Sequence, residues 1–235
     1  MTGLTHVGVV VPARDEELLL PDCLASLRVA ANAVRAERAV EVLAVVVLDS
    51  CRDDSARAVA AHPWVRRVAV SVGNVGAARR AGAQVVLDEL RHVPSRRIWL
   101  ATTDADSQVP PGWLIGMVDL AAGGTEVVVG TVTVDDWSPH PTPVAERWLA
   151  GYARTEPHPH VHGANLGLTA AAYLAAGGFP AAALGEDVAL VTASSERRVV
   201  RTTALPVRTS GRAVGRVTGG FADFLKALDD EGEAV

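Results

Sequence analysis

Through residue 134 the chain alternates short Val-rich apolar runs with longer segments in which apolar positions recur every three or four residues. The runs HVGVVVP (6–12), EVLAVVVLD (41–49), VRRVAVSV (65–72), RRIWLATTD (96–104) and TEVVVGTVTV (125–134) read as strands. Those that are apolar on consecutive positions are expected to be buried on both faces. Residues 21–36, 53–62, 76–91 and 111–122 read as helices, with Pro21 and Pro111 tolerable in first turns where no N–H is needed. Strands separated by helical crossovers predict an α/β fold, a mostly parallel sheet flanked by helices. After residue 134 the rhythm breaks into DDWSPHPTPVAERWLAGYARTEPHPHVHGAN, rich in Pro and His, which predicts a long surface excursion carrying one helix near 143–153. The alternation then partly resumes, with helices near 169–176, 186–195 and 218–228 and a strand near 198–207.

With 235 residues, 49% of them apolar, the chain is long enough for one large core. The expected unit is a single domain over 1–228, with a regular half (1–134), an irregular half (135–228) and a solvated acidic tail (229–235). A net charge of −5 without a basic run argues against nucleic acid as a partner. Only Cys23 and Cys51 are present, in no metal-type spacing, which fits a reducing, cytoplasmic interior without disulfides. The N-terminus lacks the features of a signal peptide, and no run approaches the ~18 to 20 apolar residues that span a bilayer, so an integral membrane protein is not expected.

In an open parallel sheet, ligands bind outside the carboxyl ends of the strands, so strand-end residues are the candidates. The first strand ends in Pro12-Ala13-Arg14-Asp15-Glu16, the second in Asp49-Ser50-Cys51-Arg52-Asp53, and the fourth in Asp104-Ala105-Asp106. Three acidic ends around one crevice favour a divalent cation or a hydroxyl-rich ligand. Mg²⁺ or Mn²⁺, which takes a few carboxylates plus phosphate oxygens and water, reconciles that charge with a bound diphosphate. The simpler reading of Asp104 and Asp106 is an Asx-type turn that stops the strand.

VVVPARDEE resembles the opening strand and loop of family 2 glycosyltransferases with the GT-A fold, and VVVLDSCRDDS their second strand with its Asp-rich turn. GNVGAARRAGAQ is similar to their helix after the third strand, ATTDADS to their D-x-D motif, and HGANLGLTAAAYLAAGGFPAAALGEDVAL to their acceptor-side segment. The ordered series covers roughly residues 6–200. It implies a soluble, non-processive enzyme that moves one sugar from a UDP- or GDP-linked donor to a small-molecule or lipid acceptor, with a nucleotide-sugar-binding half (1–134) and an acceptor-binding half (135–228). By the same resemblance Pro12, Arg14, Glu16 and Asp49 would line the nucleoside pocket, Arg79 would lie near the sugar or diphosphate, and Asp104 would face the ribose or sugar. Asp106 would ligate Mn²⁺ or Mg²⁺. Asp187 would be the general base of an inverting reaction, supported by Glu186. His162, Gly178 and Phe179 would stand at the acceptor pocket.

Each assignment has a plainer counterpart. Glu186 and Asp187 suit any helix N-terminus, Asp49 could merely end a strand, and Arg79 could be an exposed helix residue. His158, His160 and His162 alternate, so an extended segment would turn all three one way, as a metal site needs; the interleaved prolines favour a surface loop. Arg208, Arg212 and Arg216 suit diphosphate contact and a solvated edge equally. Ser50-Cys51-Arg52 departs from the family's usual Gly-Ser-Thr, and TAAAY replaces a basic pair after GAN. No Q-x-x-R-W follows the Glu-Asp pair, which argues against a processive polysaccharide synthase. The competing readings are a nucleotidyltransferase of similar fold, which lacks its Gly-rich basic loop here, and a degenerate binder of nucleotide sugar. A homo-oligomer is compatible with all of them.

Overall fold

The structure, a computed structural model, describes residues 3–134, 136–153, 155–182, 184–216 and 220–233. In chain order the strands are β1 (His6–Ala13), β2 (Glu41–Asp49), β3 (Val65–Val70), β4 (Ile98–Thr102), β5 (Ser107–Gln108), β6 (Val127–Val134), β7 (Leu166–Thr169) and β8 (Val199–Thr209). The helices are α1 (Leu20–Arg38), α2 (Ser55–Ala60), α3 (Val75–Glu89), α4 (Trp113–Ala122), α5 (Thr142–Gly151), α6 (Ala170–Ala175), α7 (Glu186–Ala193) and α8 (Phe221–Glu233). Every strand and helix expected from the pattern is present. The helix after Pro111 starts at Trp113, so that proline sits in the preceding turn and not inside the helix. β5 and β7 were not foreseen.

The eight strands form one sheet in the order β3-β2-β1-β4-β7-β6-β8-β5. β1 pairs in parallel with β2 and β4, β2 with β3, and β6 with β8. β7 runs antiparallel between β4 and β6, and β5 antiparallel to β8. The Val-rich runs are buried on both faces, as their lack of alternation implied. Val7, Val9 and Val11 of β1 pack under α1 and α4, whereas Val10 joins α3, α6 and α7 on the opposite layer. On that second face a Cβ at Gly8 would lie 2.2 Å from Val86 Cγ1, so α3 can approach β1 this closely only because position 8 has no side chain. β3, at the sheet edge, is the half-exposed exception.

A smaller apolar cluster joins Val132 of β6, Ala164, Val144 and Trp148 of α5, and Leu225 of α8. The acidic residues assigned to a tail continue α8 as far as Glu233; residues 234 and 235 lie outside the described residues. Among the described residues no helix is long and apolar enough to cross a membrane.

Candidate functional site

The strand order reverses between β1 and β4, and a cleft of about 770 Å³ opens there, outside the carboxyl ends of the parallel strands. Pro12, Arg14, Glu16, Asp49, Asp104 and Asp106 line its strand-end side. β7 explains how the other half of the chain reaches the same place. Because β7 is antiparallel, its start and not its end lies at this edge, so His162 and Gly163 open into the cleft just before Leu166. Asn165, fully buried, anchors the turn: its amide donates to Thr131 O (2.8 Å) and Leu205 O (2.7 Å) and accepts from Trp113 Nε1 (2.9 Å).

Arg79 is the junction between the halves. It is buried on α3, with Nη2 on Asp104 Oδ1 at 2.5 Å and Nη1 on Glu186 Oε1. Burial works against its charge, but the Asp104 and Glu186 carboxylates outweigh that and hold its pKa above the ordinary arginine value. Burial pushes the Glu186 carboxyl up, with Arg79 opposing. The exposed helix residue of the simpler reading is therefore excluded. Gly163 is part of the same fit, since a Cβ there would stand 2.4 Å from the Arg79 guanidinium carbon. Asp187 lies alongside at the N-terminus of α7, where its Oδ2 accepts the Gly163 N–H at 2.7 Å.

The loop after β4 is turned back by β5, whose Ser107 pairs with Thr209 of β8. That register carries the chain beyond β8 across Asp106. Arg212 bridges Asp106 and Glu16, with Nη2 to Glu16 Oε1 at 2.6 Å and Nη1 to Glu16 Oε2 at 3.0 Å, and Arg216 stands 3.8 Å from Glu16. Burial raises the Asp106 carboxyl pKa, Arg212 pulls it back, and Asp104 adds to the rise; burial likewise raises Glu16. So Arg212, not Arg208, reaches the acids; Arg208 pairs with Gln108 on β5. The guanidinium of Arg212 is a cation held by Asp106, expected to ligate a metal, and by Glu16, expected in the nucleoside pocket. The donor set, half-buried Asp106 with Asp104 in the same negative patch, suits a hard divalent ion that keeps water and diphosphate oxygens as its other ligands.

Other acids are engaged in structure. Asp49 accepts backbone N–H groups from Val72 (2.9 Å), Gly73 (2.9 Å) and Asn74 (3.0 Å), so it fixes the loop entering α3 while lining the cleft. Among the described residues, three potential metal ligands gather within 4.8 Å only at Asp15, Cys51 and Asp53. Asp15 accepts the Arg52 N–H at 2.6 Å and Asp53 the Glu17 N–H at 2.9 Å, which locks the loops after β1 and β2 together. Gly178 and Phe179 are not in the cleft. Phe179 is buried against Tyr173, and Gly178, with φ +75°, lies against the Tyr173 hydroxyl.

The histidines are not a loose loop. The rings of His158, His160 and His162 stack at 5.8 and 6.0 Å, and His160 lies on Tyr152 at 3.9 Å, with Trp148 stacked beyond Tyr152 at 4.4 Å. The alternation in sequence does turn the three rings one way; its use is stacking. Phe221 and Phe224 of α8 complete the cleft wall and escaped the sequence reading, although the apolar spacing Phe221, Phe224, Leu225, Leu228 marked one helix face. Burial, then the neighbouring His160, pushes His162 down to about 4. A base whose folded pKa is depressed keeps its full stability above the unfolded value near 6.5 and loses it as pH falls toward 4. We expect His162→Gln to remove on the order of 2 to 3 kcal/mol of the acid-induced loss between pH 7 and 4.5, read as the wild-type minus variant difference in urea unfolding.

The family model described as "Glycosyl transferase family 2" matches residues 8–175. No curated protein matches the sequence. Among solved structures the chain is similar to S. aureus TarS 1–349, with 13% identity, a TM-score of 0.62, and coverage of 88% of this chain and 61% of that one. It is also similar to the mannosyltransferase PcManGT from Pyrobaculum calidifontis in complex with GDP-Man and Mn²⁺, with 21% identity, a TM-score of 0.60, and coverage of 92% and 59%. The chain thus spans about three fifths of each of these two structures. A 4-diphosphocytidyl-2C-methyl-D-erythritol synthase shares the fold over 98% of this chain and 100% of its own, with 17% identity and a TM-score of 0.53.

Proposed function

The chain belongs to glycosyl transferase family 2, and from that premise we propose that it transfers one sugar from a nucleoside diphosphate sugar to an acceptor hydroxyl with inversion, using Mn²⁺ or Mg²⁺ and Asp187 as general base. The observation that carries this reading is the Arg79 junction. One buried guanidinium ties Asp104, on the strand-end side, to Glu186, next to Asp187, so the two halves of the reaction share one rigid frame.

In this reading Pro12, Arg14, Glu16 and Asp49 surround the nucleoside, Asp104 faces the ribose or sugar, and Asp106 would hold the cation. When bound, that cation offsets the charge developing on the leaving diphosphate. Arg212 and Arg216, drawn to the cleft by Glu16, would supply charge-assisted hydrogen bonds to phosphate oxygens. Asp187 takes the acceptor's hydroxyl proton as that oxygen bonds to the anomeric carbon, while the anomeric C–O bond to diphosphate breaks and its electron pair leaves with the phosphate. The Gly163 N–H fixes the carboxylate without exhausting it, because an ionised carboxylate has about four acceptor sites. Neutral His162, adjoining, adds no competing positive charge near neutral pH. The likeness to the cytidyl synthase is one of fold alone, and the family match is what favours sugar transfer over nucleotidyl transfer.

Thermal-shift titration with UDP and GDP, with and without Mn²⁺, tests this. One of the two is expected to stabilise by about 2.7 kcal/mol at a hundred times its dissociation constant, and only with the metal present. Asp106→Asn should abolish the metal-dependent part. Absence of any nucleotide effect in the wild type, or a full Mn²⁺ effect in the variant, would overturn the donor-site reading.

A further inference from the structure

Beside the cleft lies a second, smaller cavity of about 310 Å³, and Val161, His162, Phe221 and Phe224 line both. Its remaining wall is mainly aromatic, with Trp148, Tyr152 and His160 beside Gly151, Leu228 and Arg147. The polar atoms of that wall are largely spent inside the protein. The Tyr152 hydroxyl is bonded to His162 Nε2 at 2.9 Å and accepts the Val132 N–H at 3.0 Å. His160 Nε2 accepts the Ala153 N–H at 2.9 Å, and Arg147 Nη1 donates to Leu228 O. Trp148 Nε1 is the exception, a buried donor with no partner among the described residues.

Two consequences follow for an occupant. A sugar ring placed here would leave most of its hydroxyls without partners on the wall, and a buried unpaired polar group opposes binding. An apolar group meets no such cost. Its kind is indicated by the wall: Tyr152 is sandwiched between His160 at 3.9 Å and Trp148 at 4.4 Å, so its ring meets an occupant edge-on, an arrangement that favours another aromatic ring. At the ~30 Å³ that a water occupies in the liquid, the cavity holds a group of about ten non-hydrogen atoms.

Resting on the glycosyltransferase reading above, we infer that the acceptor is an aromatic alcohol or phenol whose planar ring system sits in this side pocket with its hydroxyl toward Asp187. The hydroxyl oxygen then displaces the nucleoside diphosphate at the anomeric carbon and its proton passes to Asp187, while the ring packs edge-to-face against the aromatic wall. Aromatic contacts of this type add to affinity beyond the area they bury.

The test is direct binding of 2-naphthol by calorimetry, without donor, against geraniol and methyl glucoside as aliphatic and sugar probes. Naphthol is expected to bind at least about tenfold tighter than either. Gly151, at the end of α5, lines the pocket, and a Cβ there would meet nothing within 4 Å. Gly151→Phe should therefore fold and fill the cavity, weakening naphthol binding about tenfold or more while leaving the nucleoside diphosphate shift intact. Phe224→Ser, at a half-exposed wall position, is the second variant and should weaken naphthol in the same direction. Geraniol or the glucoside binding as tightly as naphthol, or naphthol affinity unchanged in both variants, would overturn the inference. Loss of the nucleotide shift in the wild type would instead count against the glycosyltransferase reading, because naphthol binding is read separately.

Discussion

Asp187→Asn is expected to lower sugar transfer by about 10² to 10⁴ while the Mn²⁺-dependent nucleotide shift stays at its wild-type value. General base catalysis typically contributes that range, and the amide cannot take the acceptor's proton. The fold should tolerate the change. Asp187 accepts the Gly163 N–H through Oδ2 and the Val188 N–H through Oδ1, both at 2.7 Å, and asparagine keeps one acceptor oxygen for the two donors. The lost bond should cost about 1 kcal/mol in urea unfolding. Initial rates with saturating donor, set beside donor binding, separate the proton-transfer role from a helix-capping role. Transfer at the wild-type rate in this variant would remove Asp187 as the base.

The second large effect is on the fold. Arg79→Met should destabilise by about 3 to 5 kcal/mol, the usual result of stripping one partner from a buried ion pair. Glu186 is left buried with its charge uncompensated, and Asp104 loses its 2.5 Å contact. Removing the stranded acid as well, in Arg79→Met/Glu186→Leu, should recover part of the loss, because an apolar replacement of a buried pair is often tolerated. Denaturant midpoints of the two variants measure this. Equal destabilisation in both would mean that charge burial is not the cause.

What the sequence disclosed depends on how local the cause is. β1, β2, β4 and β6 were legible because runs such as VGVVV and VLAVVVL fix burial on both faces by themselves. β7 was not, since LGLT is four residues long and becomes a strand only by pairing with β4 and β6; a Cβ at Gly167 would lie 2.5 Å from the Trp99 indole nitrogen. Asp104, Asp106, Glu186 and Asp187 were found from their motifs, and all line one cleft. Arg79 could only be placed near it, because its burial is decided by partners 25 and 107 residues away. Arg212 was no better marked than Arg208 or Arg216, for nothing local shows that β5 pairs with β8 and carries position 212 to Asp106. Gly178 and Phe179 show the converse error: a motif found in the expected order that serves packing behind the cleft.

The Arg212 bridge bears on the order of events. In the proposed reading, a lone divalent ion reaching the free protein would compete with the Arg212 guanidinium for Asp106. A nucleotide whose phosphates attract that same guanidinium lifts the obstacle. In that reading, ion and donor would therefore each tighten the other's hold by an equal factor, as reciprocal coupling requires, and would load as a pair.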